Sequence, residues 1–239
     1  MPEPSSRARH ALTGFLLVLV AIFLALGSWQ VQRLFWKRDL IARVEARIHA
    51  DPVPAPSRAA WDGVSAQKDE YRRVTATGLF QHEQSVLVQA VTERGAGFWV
   101  LTPMTLADET TVLINRGFVP ADKRDPADRL GSQLAAGPVT VTGLLRLSEP
   151  GGAFLRSNDP ANDRWFSRDV AAIAADRGLM NVAPYFIDAD AAPNPGGLPV
   201  GGLTVVAFRN SHLVYALTWY ALAAMSLGAA WQIHRRRFA

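Results

Sequence analysis

The most chemically suggestive residue is a histidine where a membrane segment would begin. The stretch NSHLVYALTWY, Asn210 to Tyr220, opens the last long apolar run, and His212 lies near its start. On a helix, His212, Tyr215, Ala216, Trp219 and Ala223 share one face. An imidazole can supply an axial nitrogen to haem iron, and a flat macrocycle would fit beside two aromatic rings and small residues. An imidazole near the end of a span also costs less than one at the bilayer centre, so a polar interface residue explains His212 equally well. The residues leave both readings open.

Other chemistry finds little support. The chain has no cysteine, which removes thiolate nucleophiles, covalent haem attachment and thiolate copper binding. His10, His49, His82, His212 and His234 show no zinc-ligand spacing. Met1, Met104, Met180 and Met225 do not cluster as copper ligands would. No phosphate-binding or nucleophile-elbow motif is present, and Ser211 and His212, adjacent on a helix, point apart. The chain is not expected to be an enzyme. In INRGFVP (114–120), Gly117 is expected to turn the chain and Pro120 to end pairing. The alternative is that Arg116 grips a carboxylate, such as a haem propionate, as a bidentate fork. In SNDPANDRWFSRD (157–169), Asn158–Asp159–Pro160 predicts an Asx turn, with Trp165 packing on the domain.

Charge divides the 239 residues into three parts. Residues 1–50 carry seven Lys/Arg against three Asp/Glu, 51–200 carry fourteen against eighteen, and 201–239 carry four against none. The basic character belongs to the ends, and the acidic middle argues against a nucleic-acid groove.

The ends are also where the chain can cross a bilayer. Residues 11–32 contain no charge, and 210–233 contain none besides His212. Each is long enough for a ~30 Å hydrocarbon layer. The Ala25-Leu26-Gly27 tripeptide has the small-residue spacing of a signal-peptidase site, but the apolar run exceeds a usual signal core, so a retained span is expected. Arg235, Arg236 and Arg237 put the C-terminus in the cytoplasm, and Arg7 and Arg9 agree for the N-terminus. Arg33, Lys37, Arg38, Arg43 and Arg47 conflict with that orientation. The expected layout is a cytoplasmic N-terminus (1–10), a first span (11–32), a helical stalk (33–50) and a periplasmic domain (51–208). A second span (209–233) and a basic cytoplasmic tail (234–239) complete it. Glu3 and the short leader suit a bacterial inner membrane better than a mitochondrial presequence.

Leu34, Ile41, Val44 and Ile48 form one apolar stripe, so the first helix is expected to continue beyond the lipid until DPVPAPS (51–57) ends it. Short strand-like runs follow at 71–78, 85–91, 98–104, 110–117, 139–147, 184–189 and 203–208. One helix is predicted at 167–178, capped by Ser167 and ended by Gly178. The fold class is therefore membrane-anchored α+β: two transmembrane helices flanking a β-rich extracytoplasmic domain, an antiparallel barrel or sandwich, with one helix.

LGSWQVQRLFWKRDLI (26–41), INRGFVP, SNDPANDRWFSRD, PYFIDAD and GGLTVVAFRNSHLVYALTWYALA (201–223) together resemble the surfeit locus protein 1 family. The resemblance covers nearly the whole chain in order; Phe118 stands where the family usually has tryptophan. It implies an assembly factor for cytochrome c oxidase, without catalysis of its own, that binds haem a non-covalently and supports its delivery to oxidase subunit I. The implied partners are that subunit, haem A synthase and the lipid bilayer. The resemblance makes His212 the axial ligand to the haem iron. Tyr215 and Trp219 would then flank the macrocycle, Arg116 or Arg209 would reach its propionates, and Asn210 or the preceding loop would orient the imidazole. Trp29, Gln30, Arg33, Trp36 and Lys37, spaced by threes and fours, are expected to contact the outer domain or the oxidase. The rival is a scaffold without cofactor, packing through Ala224 and Gly228.

Overall fold

The computed structural model describes residues 6–133, 137–153, 155–206 and 208–235. The chain separates into two units, residues 1–43 with 207–239, and residues 44–206.

The first unit is a helix pair. The helix α1 (Ser6–Ile48) runs unbroken for 43 residues, and α3 (His212–Arg235) for 24. Both are long and apolar enough to cross a membrane. They run antiparallel, since His212 meets Gln30 while Trp219, further along α3, meets Phe23, earlier on α1. The less exposed positions of α3 include His212, Ala216, Trp219, Ala223, Ser226, Ala230 and Ile233. Those of α1 include Val20, Phe23, Gly27, Gln30, Leu34 and Lys37. Both sets alternate steps of four and three, the spacing of a left-handed helix pair. Small residues bring the backbones close: Ala216, Ala223 and Ala230 are buried, and a Cβ on Gly27 would lie 2.7 Å from the Tyr220 ring. Ala224 and Gly228 are exposed and stay out of this seam. Leu34 and Val44 are the buried members of the α1 stripe. Arg236 and Arg237 lie outside the described residues.

The second unit is a barrel. Its strands are β1 (Val53–Pro54), β2 (Arg73–Phe80), β3 (Val86–Thr92), β4 (Gly95–Leu106), β5 (Thr111–Pro120), β6 (Val139–Leu147) and β7 (Val182–Ala189). The sheet order is β1-β2-β6-β7-β5-β4-β3, and β2 also pairs with β4. That extra pairing closes β2, β6, β7, β5 and β4 into a ring, with β1 and β3 added outside it. The sheet is mixed, because β5–β7 and β1–β2 are parallel. An entirely antiparallel sheet was the expectation. The correction comes from the crossover after β5, which returns through β6 and the helix α2 (Val170–Asp176) before β7 lies down.

Side-chain alternation explains the core. Val112 and Ile114 of β5 and Tyr185 and Ile187 of β7 fill the barrel, with Val74, Met104 and Leu145. Leu113 and Phe186, one residue out of phase, pack outside against Trp165, Val170 and Ile173. Strand β5 is thus buried on both faces, which is why Val112, Leu113 and Ile114 are apolar in succession. Trp165 packs as expected, and its Nε1 donates to Asp163 Oδ1.

Four local expectations are corrected. The described residues of the expected strand at 203–208, which are 203–206 and 208, form none: the adjacent β7 is already paired on both sides, by β6 and β5, and Val205 is exposed. Helix α2 is capped by Asp169, whose side chain accepts from Ala172 N, while Ser167 Oγ accepts from Gly152 N and Asn158 Nδ2. Gly178 follows at φ +62°, as an ending glycine should. Gly117 lies inside β5 and makes no turn. Its φ is +128°, and a Cβ there would lie 2.2 Å from Val200 O, the backbone that exchanges hydrogen bonds with Phe118. Asn158 Oδ1 likewise bonds forward to the amides of Phe166 and Ser167, stapling the loop instead of closing an Asx turn.

One carboxylate ties these segments together. Asp188 on β7 is 2 % exposed. It accepts from Asn115 Nδ2 of β5 at 2.7 Å, Arg146 Nη1 of β6 at 3.1 Å, Arg168 Nη1 before α2 at 3.1 Å and Thr204 Oγ1 at 2.9 Å. Glu70 holds Arg146 Nε, and Glu149 holds Arg168 through two bonds. Removing one partner of such a buried pair typically costs about 3–5 kcal/mol, because the other charge stays buried. Asp188→Ala is therefore expected to lower unfolding stability by about that amount, read by chemical denaturation of the detergent-solubilised chain, whereas Glu93→Ala on the surface should be near neutral.

Candidate functional site

His212 begins α3, and Asn210 Oδ1 accepts from its backbone amide at 3.4 Å. Its ring is fixed from the other helix: His212 Nδ1 and Gln30 Oε1 are 2.7 Å apart. An amide oxygen can only accept, so Nδ1 carries the proton and Nε2 keeps the lone pair. This is the arrangement a metal-binding imidazole needs, with one nitrogen oriented by a hydrogen bond and the other free to donate. Asn210 was the expected orienting partner. It caps the backbone instead, and the glutamine supplies the bond from 182 positions away in sequence.

The flat face expected beside His212 is taken. Ala216 and Ala223 are 2 % and 4 % exposed in the seam, and Trp219 stacks on Phe23 at 5.7 Å. A macrocycle cannot lie along that face while α1 and α3 are paired. Tyr215 is 55 % exposed, and Arg209 is exposed just before the helix. The residues therefore fit axial ligation at the seam's end, with Tyr215 and Arg209 beside it, and do not fit a ring sandwiched against Trp219.

The stalk motif splits between two sides. Gln30 and Lys37 face the seam, Gln30 bonded to His212 and Lys37 Nζ lying 5.0 Å from the Phe208 ring. Trp29 and Trp36 stand out from the pair and bracket the Arg33 guanidinium at 5.9 and 4.9 Å. Such cation–π contacts at exposed sites contribute roughly 0.5–1 kcal/mol.

Arg116 belongs to the barrel unit and is 4 % exposed. Its Nη1 donates to His82 Nδ1 and its Nη2 to Asn194 Oδ1, both at 3.2 Å, and the guanidinium lies 5.1 Å from the Phe80 ring. Burial, then the neighbouring Arg129, push its pKa down to about 10. It remains a cation at neutral pH, built into the barrel wall.

The comparisons agree with this architecture. A model of the SURF1 family matches residues 17–224, a span that includes most of α1, the whole barrel and the first part of α3. The chain belongs to the SURF1 family. Members of that family are known as cytochrome c oxidase assembly factors. Surfeit locus protein 1 of Mus musculus is 38 % identical over 228 residues, covering 88 % of this chain and 71 % of its own length. The Homo sapiens protein of that name is 38 % identical, covering 87 % and 72 %. A SURF1-like protein of Monosiga brevicollis is 37 % identical over 235 residues, covering 93 % and 87 %.

Most motifs that resemble the family meet at Asp188 rather than at His212. Asn115, Arg168 and Thr204 come from three of them, and Asp188 from a fourth. Their spacing gave no hint of this, since the contacts are long-range. Gln30 did leave a signal, being an uncharged polar side chain inside an apolar span, where it needs a partner.

His82 gives the barrel a pH dependence. Burial, and then the Arg116 charge, hold its pKa below the ordinary 6.5. The unfolded chain then binds the proton more readily, so stability falls as pH drops below about 6.5 toward the folded value. Thermal melts between pH 7 and 5.5 should show that decline, and His82→Gln should flatten it.

Proposed function

We propose that this chain is an assembly factor for cytochrome c oxidase that holds haem a through His212 Nε2 for delivery to subunit I. The observation that carries the reading is the His212–Gln30 bond. It selects the tautomer a ligand needs and holds the ring at the end of a helix seam. When bound, haem a supplies an iron that takes a neutral imidazole nitrogen. Gln30 positions the ring, Tyr215 offers an exposed aromatic edge, and Arg209 offers a guanidinium to a propionate. No covalent bond is required, which suits a cargo that must leave.

Both apolar helices span the bacterial inner membrane in this reading, with both termini cytoplasmic and the barrel in the periplasm. The arginine-rich tail supports that orientation. The cations in the second half of α1 oppose it less than their number suggests. Arg33 sits between two tryptophans, Lys37 on Phe208, and Arg47 bonds the carbonyls of Gln67 and Glu70. The exposed Trp29–Arg33–Trp36 cluster is the surface proposed to meet subunit I or haem A synthase.

A scaffold that binds no cofactor is the second reading, favoured by the open small-residue line at Ala224 and Gly228. Visible spectra separate the two. Protein from cells making haem a should show a Soret band, absent without haem a synthesis. His212→Ala should remove or shift it with membrane insertion intact. Gln30→Ala should weaken haem binding about 10–100-fold, the usual cost of a lost orienting partner. Substitution of His10, His49, His82 or His234 should leave the band unchanged. A normal spectrum in His212→Ala would leave the scaffold reading. For topology, reporter fusions at residue 130 should be active outside the cytoplasm and C-terminal fusions inside.

A further inference from the structure

Two exposed valines border one hollow of the barrel unit. Val91 is 87 % exposed and Val205 72 %. Both line a hollow of about 420 Å³, together with Tyr71, Trp99 and Leu203. We propose that this rim is a lipid-contacting surface: Val91 and Val205 lie in the interfacial layer of the bilayer and hold the barrel to the membrane. The inference rests on the reading that α1 and α3 span a bilayer.

Single exposed valines are ordinary on a protein surface. These two are set apart by where the chain enters and leaves the barrel unit. On the entering side, Arg47 in the last turn of α1 donates to the Gln67 and Glu70 carbonyls. The Glu70 side chain accepts from Arg146 Nε at 2.8 Å, and Arg146 and Tyr71 line the hollow. On the leaving side, Gly202, Leu203, Thr204 and Val205 form its wall, and Thr204 is pinned to Asp188. Seven residue steps separate Val205 from His212, where α3 begins, and they span at most about 25 Å when fully extended. Both connections to the apolar helices therefore leave the barrel beside the same hollow. A surface tethered at two places so close to it meets lipid before it meets a soluble partner.

The chemistry of the rim suits the interface rather than the hydrocarbon. Thr92 pairs with Gly95, so Glu93 and Arg94 form the two-residue turn just beyond Val91. Those charges keep the hairpin tip at headgroup depth, where Arg94 meets lipid phosphates and Glu93 stays hydrated. Trp99 and Tyr71 are the aromatic types that favour this layer. The floor of the hollow is the Asp188 set, in which Arg146 and Arg168 are each held by carboxylates. Apolar contact is what the rim has left to offer. Met180 is a contrast, 76 % exposed but placed before β7 begins. Asp188 lies near the other end of that strand, about 20 Å further along.

The chain has no cysteine, so one introduced cysteine takes one spin label. The test uses the full chain in nanodiscs of phosphatidylcholine and phosphatidylglycerol, labelled after Val91→Cys, Val205→Cys, Met180→Cys or Leu217→Cys. All four side chains are exposed, so the fold tolerates the changes. Power-saturation EPR reads collision with oxygen, which concentrates in lipid, and with a water-soluble nickel chelate. The oxygen-to-nickel ratio at 91 and 205 should exceed that at 180 several-fold. The label at 217, on α3, reports the spanning reading by itself and should show a higher ratio still. An aqueous ratio at 91 and 205 with a lipid ratio at 217 would overturn the inference and leave the spanning reading standing. An aqueous ratio at 217 would overturn both. Exclusion of both reagents at 91 and 205 would mean that a protein face, such as a second copy of the chain, covers the rim. That result would also overturn the inference, as would equal ratios at 91 and 180.

Discussion

The barrel depends on how one buried carboxylate is satisfied. Asp188 lies on a strand buried on both faces, where an isolated charge would cost several kcal/mol. It is tolerated because β5, β6, the segment before α2 and the return segment each send it a donor. The two arginines are neutralised in turn by Glu70 and Glu149. Each donor comes from a different stretch of chain, so the set is complete only when β7 has inserted between β5 and β6. The interaction thus selects the parallel β5–β7 register over alternatives with the same apolar pattern. Thr204 extends the selection to the return segment, which has no ladder of its own.

That constraint also accounts for the dense polar chemistry of the barrel. The Asn-Arg-Gly, Ser-Arg-Asp and Phe-Ile-Asp segments look like site motifs because they concentrate charged residues at fixed places. In the fold, Asn115, Arg168 and Asp188 saturate one another. Arg116, beside Asn115, takes no part in that set and turns to His82 and Asn194. Neighbours in sequence diverge because successive strand residues face opposite sides.

How much could be read beforehand follows the range of the interactions. The two apolar helices, the helical extension past the first and most strands were legible, since each depends on local periodicity; the run at 139–147 coincides with β6. Residues 203–208 alternate like a strand and fail because a strand also needs an unpaired edge. Gly117 looked like a turn because glycine commonly makes one, while its need is set by Val200, 83 positions away. His212 was visible as a histidine out of place. Its partner was not, because antiparallel helix register is fixed by which small residues let the backbones meet, and Gly27 and Ala216 do not announce each other.

The helix seam follows the same logic between two helices long and apolar enough to cross a membrane. Within hydrocarbon a lone glutamine or histidine leaves donors and acceptors unpaired, and water cannot repair the loss. Gln30 and His212 answer each other, so neither polar side chain is left without a partner in the seam. The pairing holds only in one register, with Gly27 under Tyr220 and Phe23 on Trp219. A one-turn slip would break the bond and force Tyr220 into a larger side chain. Register and imidazole orientation are therefore the same constraint. Loss of the seam would free Nδ1, let the ring turn, and remove the distinction between its two nitrogens.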